Sequence, residues 1–68
     1  MLLNNIELDV KTKCIEQKIS QQKVGEDAGT SGAYVSRLIN HPERIVNATF
    51  LHIMEQLGYD IRLIYEKR

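Results

Sequence analysis

The stretch Ile19–Asn40, ISQQKVGEDAGTSGAYVSRLIN, decides the fold. Ser20 is placed to cap a helix through Gln21, Gln22, Lys23 and Val24, because a serine oxygen can accept from the free N–H groups of a first helical turn. Glu26 and Asp27 lie between a short apolar pair, Val24 and Ala28, and Gly29 stops this helix early. Ser31 caps a further helix that carries Val35, Leu38 and Ile39 on one side. His41 precedes Pro42 and is pushed toward extended geometry, which closes that helix near Asn40. Two helices meeting steeply across a turn of about three or four residues need a very small residue where they touch and a flexible one in the turn. Gly25 and Gly29 supply these, while Val24, Ala28, Val35 and Leu38 fill the angle.

Outward from this stretch, Ile6, Val10, Cys14 and Ile19 recur near helical spacing with Lys11, Lys13, Glu16 and Lys18 between them, so the chain before it reads as an amphipathic helix. Asn4, with Glu7 three residues on, resembles a capping box at its start. On the other side a loop through Glu43, Arg44, Ile45 and Val46 leads to Asn47, a cap for a fourth helix bearing Phe50, Leu51, Met54 and Leu57 and ended by Gly58. From Tyr59 to Glu66 the period falls to two: Tyr59, Ile61, Leu63 and Tyr65 alternate with Asp60, Arg62, Ile64 and Glu66, the pattern of a β-strand. A lone strand leaves a row of backbone groups unpaired, so it must join either the N-terminal residues or a second copy of the chain. Met1, Leu2 and Leu3 make a short, poorly alternating partner. A homodimer is therefore expected, with Ile61, Leu63 and Tyr65 buried across a twofold axis.

The chain has 68 residues, 43% of them hydrophobic and 26% charged, with nine Lys and Arg against nine Asp and Glu. This is one small domain spanning residues 1–68, too short for a second. Folding at this size buries about 60% of the surface that the unfolded chain exposes, so stability is thin and a partner chain helps. No apolar run approaches the roughly 18 residues of a membrane span, and the first residues lack the zones of a signal peptide; a cytoplasmic chain without membrane attachment is expected. Cys14 has no partner for an internal disulfide or at metal-ligand spacing, and reads as a small core residue. His41 and His52 are too scattered for a metal site. Glu26 and Asp27 are adjacent and so diverge on a helix, and no glycine-rich phosphate loop is present. The sequence predicts no enzyme, no cofactor, no metal and no small-molecule ligand.

At about 100° per residue, the third helix separates Val35, Leu38 and Ile39 from an opposite face of Ala33, Ser36, Arg37 and Asn40. Tyr34 lies at the border, where packing on a neighbouring helix and contact with a partner are both open. This outer face carries no acidic residue and is small at Ala33 and Ser36, which suits close entry into a DNA major groove about 12 Å wide. Arg37 has the reach to donate to guanine O6 and N7, and Ala33 to meet a thymine methyl. Zero net charge removes the usual electrostatic footprint of nucleic-acid binding, so the case rests on local distribution.

The run from Ile19 to Asn40 resembles, almost position by position, that of the lambda-repressor-like family of bacterial and phage helix-turn-helix regulators, the Cro/C1 or XRE type. The resemblance covers nearly all of the chain except the terminal strand. It implies a mainly α domain of four or five helices, with the helix-turn-helix at about residues 20–40; the C-terminal strand at about 59–66 lies outside the resemblance and rests on its own alternation. The resemblance further implies a sequence-specific double-stranded DNA-binding regulator, a repressor acting by operator occupancy. Gln21 and Asn40 would then hold DNA phosphates, with Ser31, Tyr34, Arg44 and Lys23 as lesser candidates for the same role. The chain departs from the family at Gly25, where alanine is usual, at Gly32, where proline or a polar residue is frequent, and at His41, where glycine is common. A dimer would offer two reader helices to successive major grooves about 34 Å apart, on an inverted repeat. The competing expectation is a protein-interaction module on the same fold, antitoxin-like or a phage or mobile-element accessory protein. The neutral charge and apolar tail favour it, and the acid-free outer face favours DNA.

Overall fold

A capping side chain stands at the start of every helix in the computed structural model, which describes all 68 residues. The helices are α1 (Ile6–Gln17), α2 (Gln21–Asp27), α3 (Gly32–Ile39) and α4 (Ala48–Gln56), with a short 3-10 turn at Pro42–Arg44 between the last two. Ser20 Oγ accepts from the Lys23 N–H at 3.0 Å, Ser31 Oγ from the Tyr34 N–H at 3.1 Å, and Asn47 Oδ1 from the Phe50 N–H at 3.1 Å, as the sequence predicts. At α1 the cap is Asn5, whose Oδ1 accepts from the Leu8 N–H at 3.0 Å, and not Asn4. Lys18 ends α1 with a left-handed φ of 55°, so Ile19 lies beyond the helix, although its side chain is still half-buried.

The corner between α2 and α3 is a backbone-to-backbone contact. A Cβ on Gly25 would stand 2.4 Å from the Ser31 carbonyl carbon and 2.5 Å from its oxygen; one on Gly32 would stand 2.8 Å from the Gln22 Cα. Two glycines, one from each helix, therefore let the chains meet where any side chain would hold them apart. The Thr30 N–H donates to the Gly25 carbonyl at 2.7 Å and locks the turn, in which Gly29 takes a φ of 79°. The sequence gives Gly25 this packing role. Gly32 shares it, which explains its place in the first turn of α3.

Ile6 of α1 and Ile39 of α3 are buried together with Gly25, and Val10, Cys14, Val24, Val35 and Leu38 are half-buried around them. The α4 helix departs from expectation. Leu51 and Met54 are half-buried, but Phe50, Ile53 and Leu57, spaced three and four residues apart along one flank, are 46%, 52% and 65% exposed. Only the Leu51–Met54 flank of this short helix is shielded by the rest of the chain.

The predicted strand at 59–66 does not form. A single parallel bridge joins Leu2 to Ile61: the Leu3 N–H donates to the Ile61 carbonyl, and the Ile61 N–H to the Met1 carbonyl, each at 2.8 Å. The ladder stops there because α1 begins only a few residues later. At the next step the Asn4 side chain replaces a strand, its Oδ1 accepting from the Leu63 N–H at 2.7 Å and its amide donating to the Leu63 carbonyl at 3.0 Å. This duty is why Asn4 does not cap α1. The segment thus pairs within its own chain, contrary to the preference for a second copy. Ile61 and Leu63 are half-buried. Tyr65 lies on α1, its hydroxyl donating to Asp9 Oδ2 at 2.8 Å and its ring 5.1 Å from Lys13 Nζ. Partial burial, and then the Asp9 carboxylate, push the Tyr65 phenol above its ordinary pKa. The three residues expected at a dimer interface are therefore engaged within the protomer.

Replacing Gly25 with alanine is predicted to lower stability by about 1–3 kcal/mol in urea unfolding, because the new Cβ meets backbone that cannot rotate away. Helix propensity alone predicts a gain of about 0.5–1 kcal/mol. A stabilised Gly25→Ala variant would contradict the glycine contact.

Candidate nucleic-acid interface

With its N-terminal end pinned by Gly32, α3 turns Ile39 fully inward and Val35 and Leu38 partly inward, and leaves Ala33, Tyr34, Arg37 and Asn40 exposed. Ser36, expected among them, is half-buried: it sits three residues before Ile39, on the shoulder of the helix nearer the core. Tyr34 is 48% exposed. Together with Arg37, Leu38 and Arg44 of the 3-10 turn, it lines a shallow depression. The turn after Pro42 is what brings Arg44 back beside α3, a juxtaposition that linear spacing does not reveal.

The charges on this surface are unevenly committed. Neither Arg37 nor Arg44 takes part in an ion pair within the chain. Glu43, next to Arg44, is ionised more readily than usual, held down first by a bond to its own backbone N–H and then by His41, whose Nδ1 lies 3.1 Å away. Lys23, predicted as a phosphate contact, lies 3.0 Å from Asp27 one turn along α2. That exposed pair is weak and its lysine is free to exchange partners.

A second groove runs between the starts of α2 and α3 and brings Gln21, Ser31 and Ala33 together with Thr30. Gln21 is half-buried at the first turn of α2. Ser31 Oγ already accepts the capping bond from Tyr34, which leaves its hydroxyl hydrogen available to donate outward. Asn40 follows α3 with an exposed side chain that bonds to nothing in the chain. Sequence reasoning passed over Thr30 and Glu26, both of which line this groove. The signal for Glu26 was its spacing from Gln22, whose amide donates to it at 3.2 Å across one turn. Its carboxylate sets a negative edge on an otherwise uncharged groove.

No three His, Cys, Asp or Glu side chains converge as metal ligands do. No helix is long and apolar enough to cross a membrane. No family model, curated protein or solved structure matches the chain. What the α3 surface can do follows from the groups it presents: two unpaired guanidiniums, a phenol, a carboxamide and a methyl, without a carboxylate on the helix itself.

Exposed side chains without a partner in the chain contribute little to its stability. Arg37→Ala and Arg44→Ala are each expected to change the unfolding free energy by no more than about 0.5 kcal/mol, whereas Ile39→Ala lowers it by about 2–5 kcal/mol. A loss above that limit on truncating either arginine would show that it braces the fold.

Proposed function

We propose that this chain is a sequence-specific double-stranded DNA-binding protein of the helix-turn-helix type, a transcriptional regulator that acts by occupying its operator. The observation that carries the reading is the α3 face: Ala33, Tyr34, Arg37 and Asn40 exposed together, no acidic side chain among them, and Arg44 alongside. A helix of this length spans about 12 Å, and small residues at its N-terminal end let that end enter a major groove closely. Arg37 then donates both guanidinium arms to a guanine edge, and Ala33 meets a thymine methyl. Gln21, Ser31, Asn40 and Arg44 hold phosphates and fix the register, with Tyr34 between the two tasks. Ser36 reads bases only from the helix shoulder, and Lys23 reaches phosphate only by leaving Asp27. The resemblance of Ile19–Asn40 to lambda-repressor-like regulators supports the same assignment.

Zero net charge sets the character of the binding. Few phosphates are neutralised per protomer, so affinity is modest and falls gently with salt; specificity comes from the reader helix rather than from a general positive field. One observation favours a second reading, a protein-interaction module: the exposed apolar flank of α4 at Phe50, Ile53 and Leu57 is better suited to a protein than to DNA.

Selection from random duplexes separates the two. The DNA reading predicts enrichment of a defined sequence, with Arg37→Ala weakening its binding by about 1–3 kcal/mol and relaxing preference at one base pair. Failure of the wild-type chain to enrich any sequence would overturn it.

A further inference from the structure

The turn that brings Arg44 beside α3 also carries a carboxylate and an imidazole. The His41 N–H donates to the Leu38 carbonyl at 3.1 Å, the Arg44 N–H to the His41 carbonyl at 2.9 Å, and the Ile45 and Val46 N–H groups to the Pro42 carbonyl at 3.0 and 2.9 Å. With φ of Pro42 fixed by its ring, the backbone at His41, Glu43 and Arg44 is held in place against the end of α3. His41 Nδ1 lies 3.1 Å from Glu43 Oε1. Arg44, next in the chain, shares a depression with Tyr34 and Arg37 and pairs with no carboxylate, Glu43 included. The charged and titratable groups about the turn are thus Glu43 and Arg44 on it and Tyr34 and Arg37 on α3; the first turn of α4, Ala48–Leu51, carries none.

We propose that His41 and Glu43 form a proton-sensitive clasp that sets how well Arg44 holds a DNA phosphate. This rests on the DNA reading of the α3 face. When His41 is protonated, the imidazolium holds the Glu43 carboxylate and cancels its charge, and Arg44 is left to the phosphate. When His41 is neutral, Glu43 stands uncancelled beside Arg44, competes for the guanidinium and repels the phosphate. The carboxylate itself does not switch in the neutral range, because a bond to its own backbone N–H, and then His41, hold it below its ordinary pKa. Histidine is the side chain that ordinarily changes charge between pH 5 and 8, so the imidazole is the moving part. The sign follows from linkage: DNA favours protonated His41, so affinity rises as pH falls, and binding takes up protons. One charge roughly 6 Å from a phosphate in water-like surroundings is worth about threefold in affinity. His41 stands where the regulators that this chain resembles commonly carry glycine, so the clasp belongs to this chain.

Fluorescence anisotropy at about 0.1 M salt, on the duplex that the wild-type chain selects, tests the clasp between pH 5.5 and 7.5. The wild type is expected to bind about threefold more tightly at pH 5.5 than at pH 7.5. His41→Gln flattens the profile at the weaker level, and Glu43→Gln flattens it at the tighter level. His52→Gln, which removes the other histidine from the distant second turn of α4, keeps the wild-type profile. A flat wild-type profile would overturn the clasp, and so would a His41→Gln variant that keeps the wild-type slope. A Glu43→Gln variant that keeps the slope would overturn it too, because His41 would then act on the phosphate without Glu43. Absence of binding to any duplex at either pH would instead defeat the DNA reading, and the clasp with it.

Discussion

The contact on which the rest depends is the meeting of two glycine-bearing backbones, Gly25 of α2 and Gly32 of α3. With side chains there, the helices would stand further apart. They touch, and the helix's apolar stripe puts Ile39 in the core with Arg37 and Asn40 turned out. The serine caps at Ser20 and Ser31 and the bond from Thr30 to Gly25 fix the lengths and the turn. The exposed face of α3 thus lies opposite the close contact made by the same helix.

A second tie closes the other half of the molecule. Asn4 acts as a substitute strand for Leu63, and the Met1 amine lies 2.6 Å from Asp60 and 2.9 Å from Glu55. Asp60, and then Glu55, raise the amine's pKa above 8.0, and the amine lowers that of Glu55 below 4.5. A raised amine stabilises at low pH and loses its effect as pH climbs past its folded value; a lowered carboxyl does the reverse. This electrostatic tie is therefore complete between pH 4.5 and 8.0, and its groups are exposed enough for salt to screen them. It holds the tail on the N-terminal segment.

Local chemistry was legible in the sequence, because it acts over a few residues. Three of the four caps, the glycine at the α2–α3 crossing and the inward stripe of α3 all follow from short-range spacing. What escaped was decided by contacts distant along the chain. Asn4 looks like a cap until Leu63 claims it. The alternation of Tyr59–Glu66 is that of a strand, yet the only backbone within reach is a few residues long and yields one bridge. On α4 the sequence shows how many apolar residues there are, but not that the chain shields only Leu51 and Met54. Likewise Arg44 joins Arg37 only through the 3-10 turn, and Ser36 is lost from the outer face because the crossing tilts the stripe toward it.

The claim that the outer face of α3 is the recognition surface is tested most directly by nuclear magnetic resonance, following each backbone and arginine side-chain signal as duplex DNA is added at low salt. The account predicts that the largest shifts fall on Ala33, Tyr34, Arg37, Asn40 and Arg44, with smaller ones at Gln21 and Ser31, while Phe50, Ile53 and Leu57 of α4 stay unmoved. Shifts centred on α4 or the tail, with α3 silent, would contradict it.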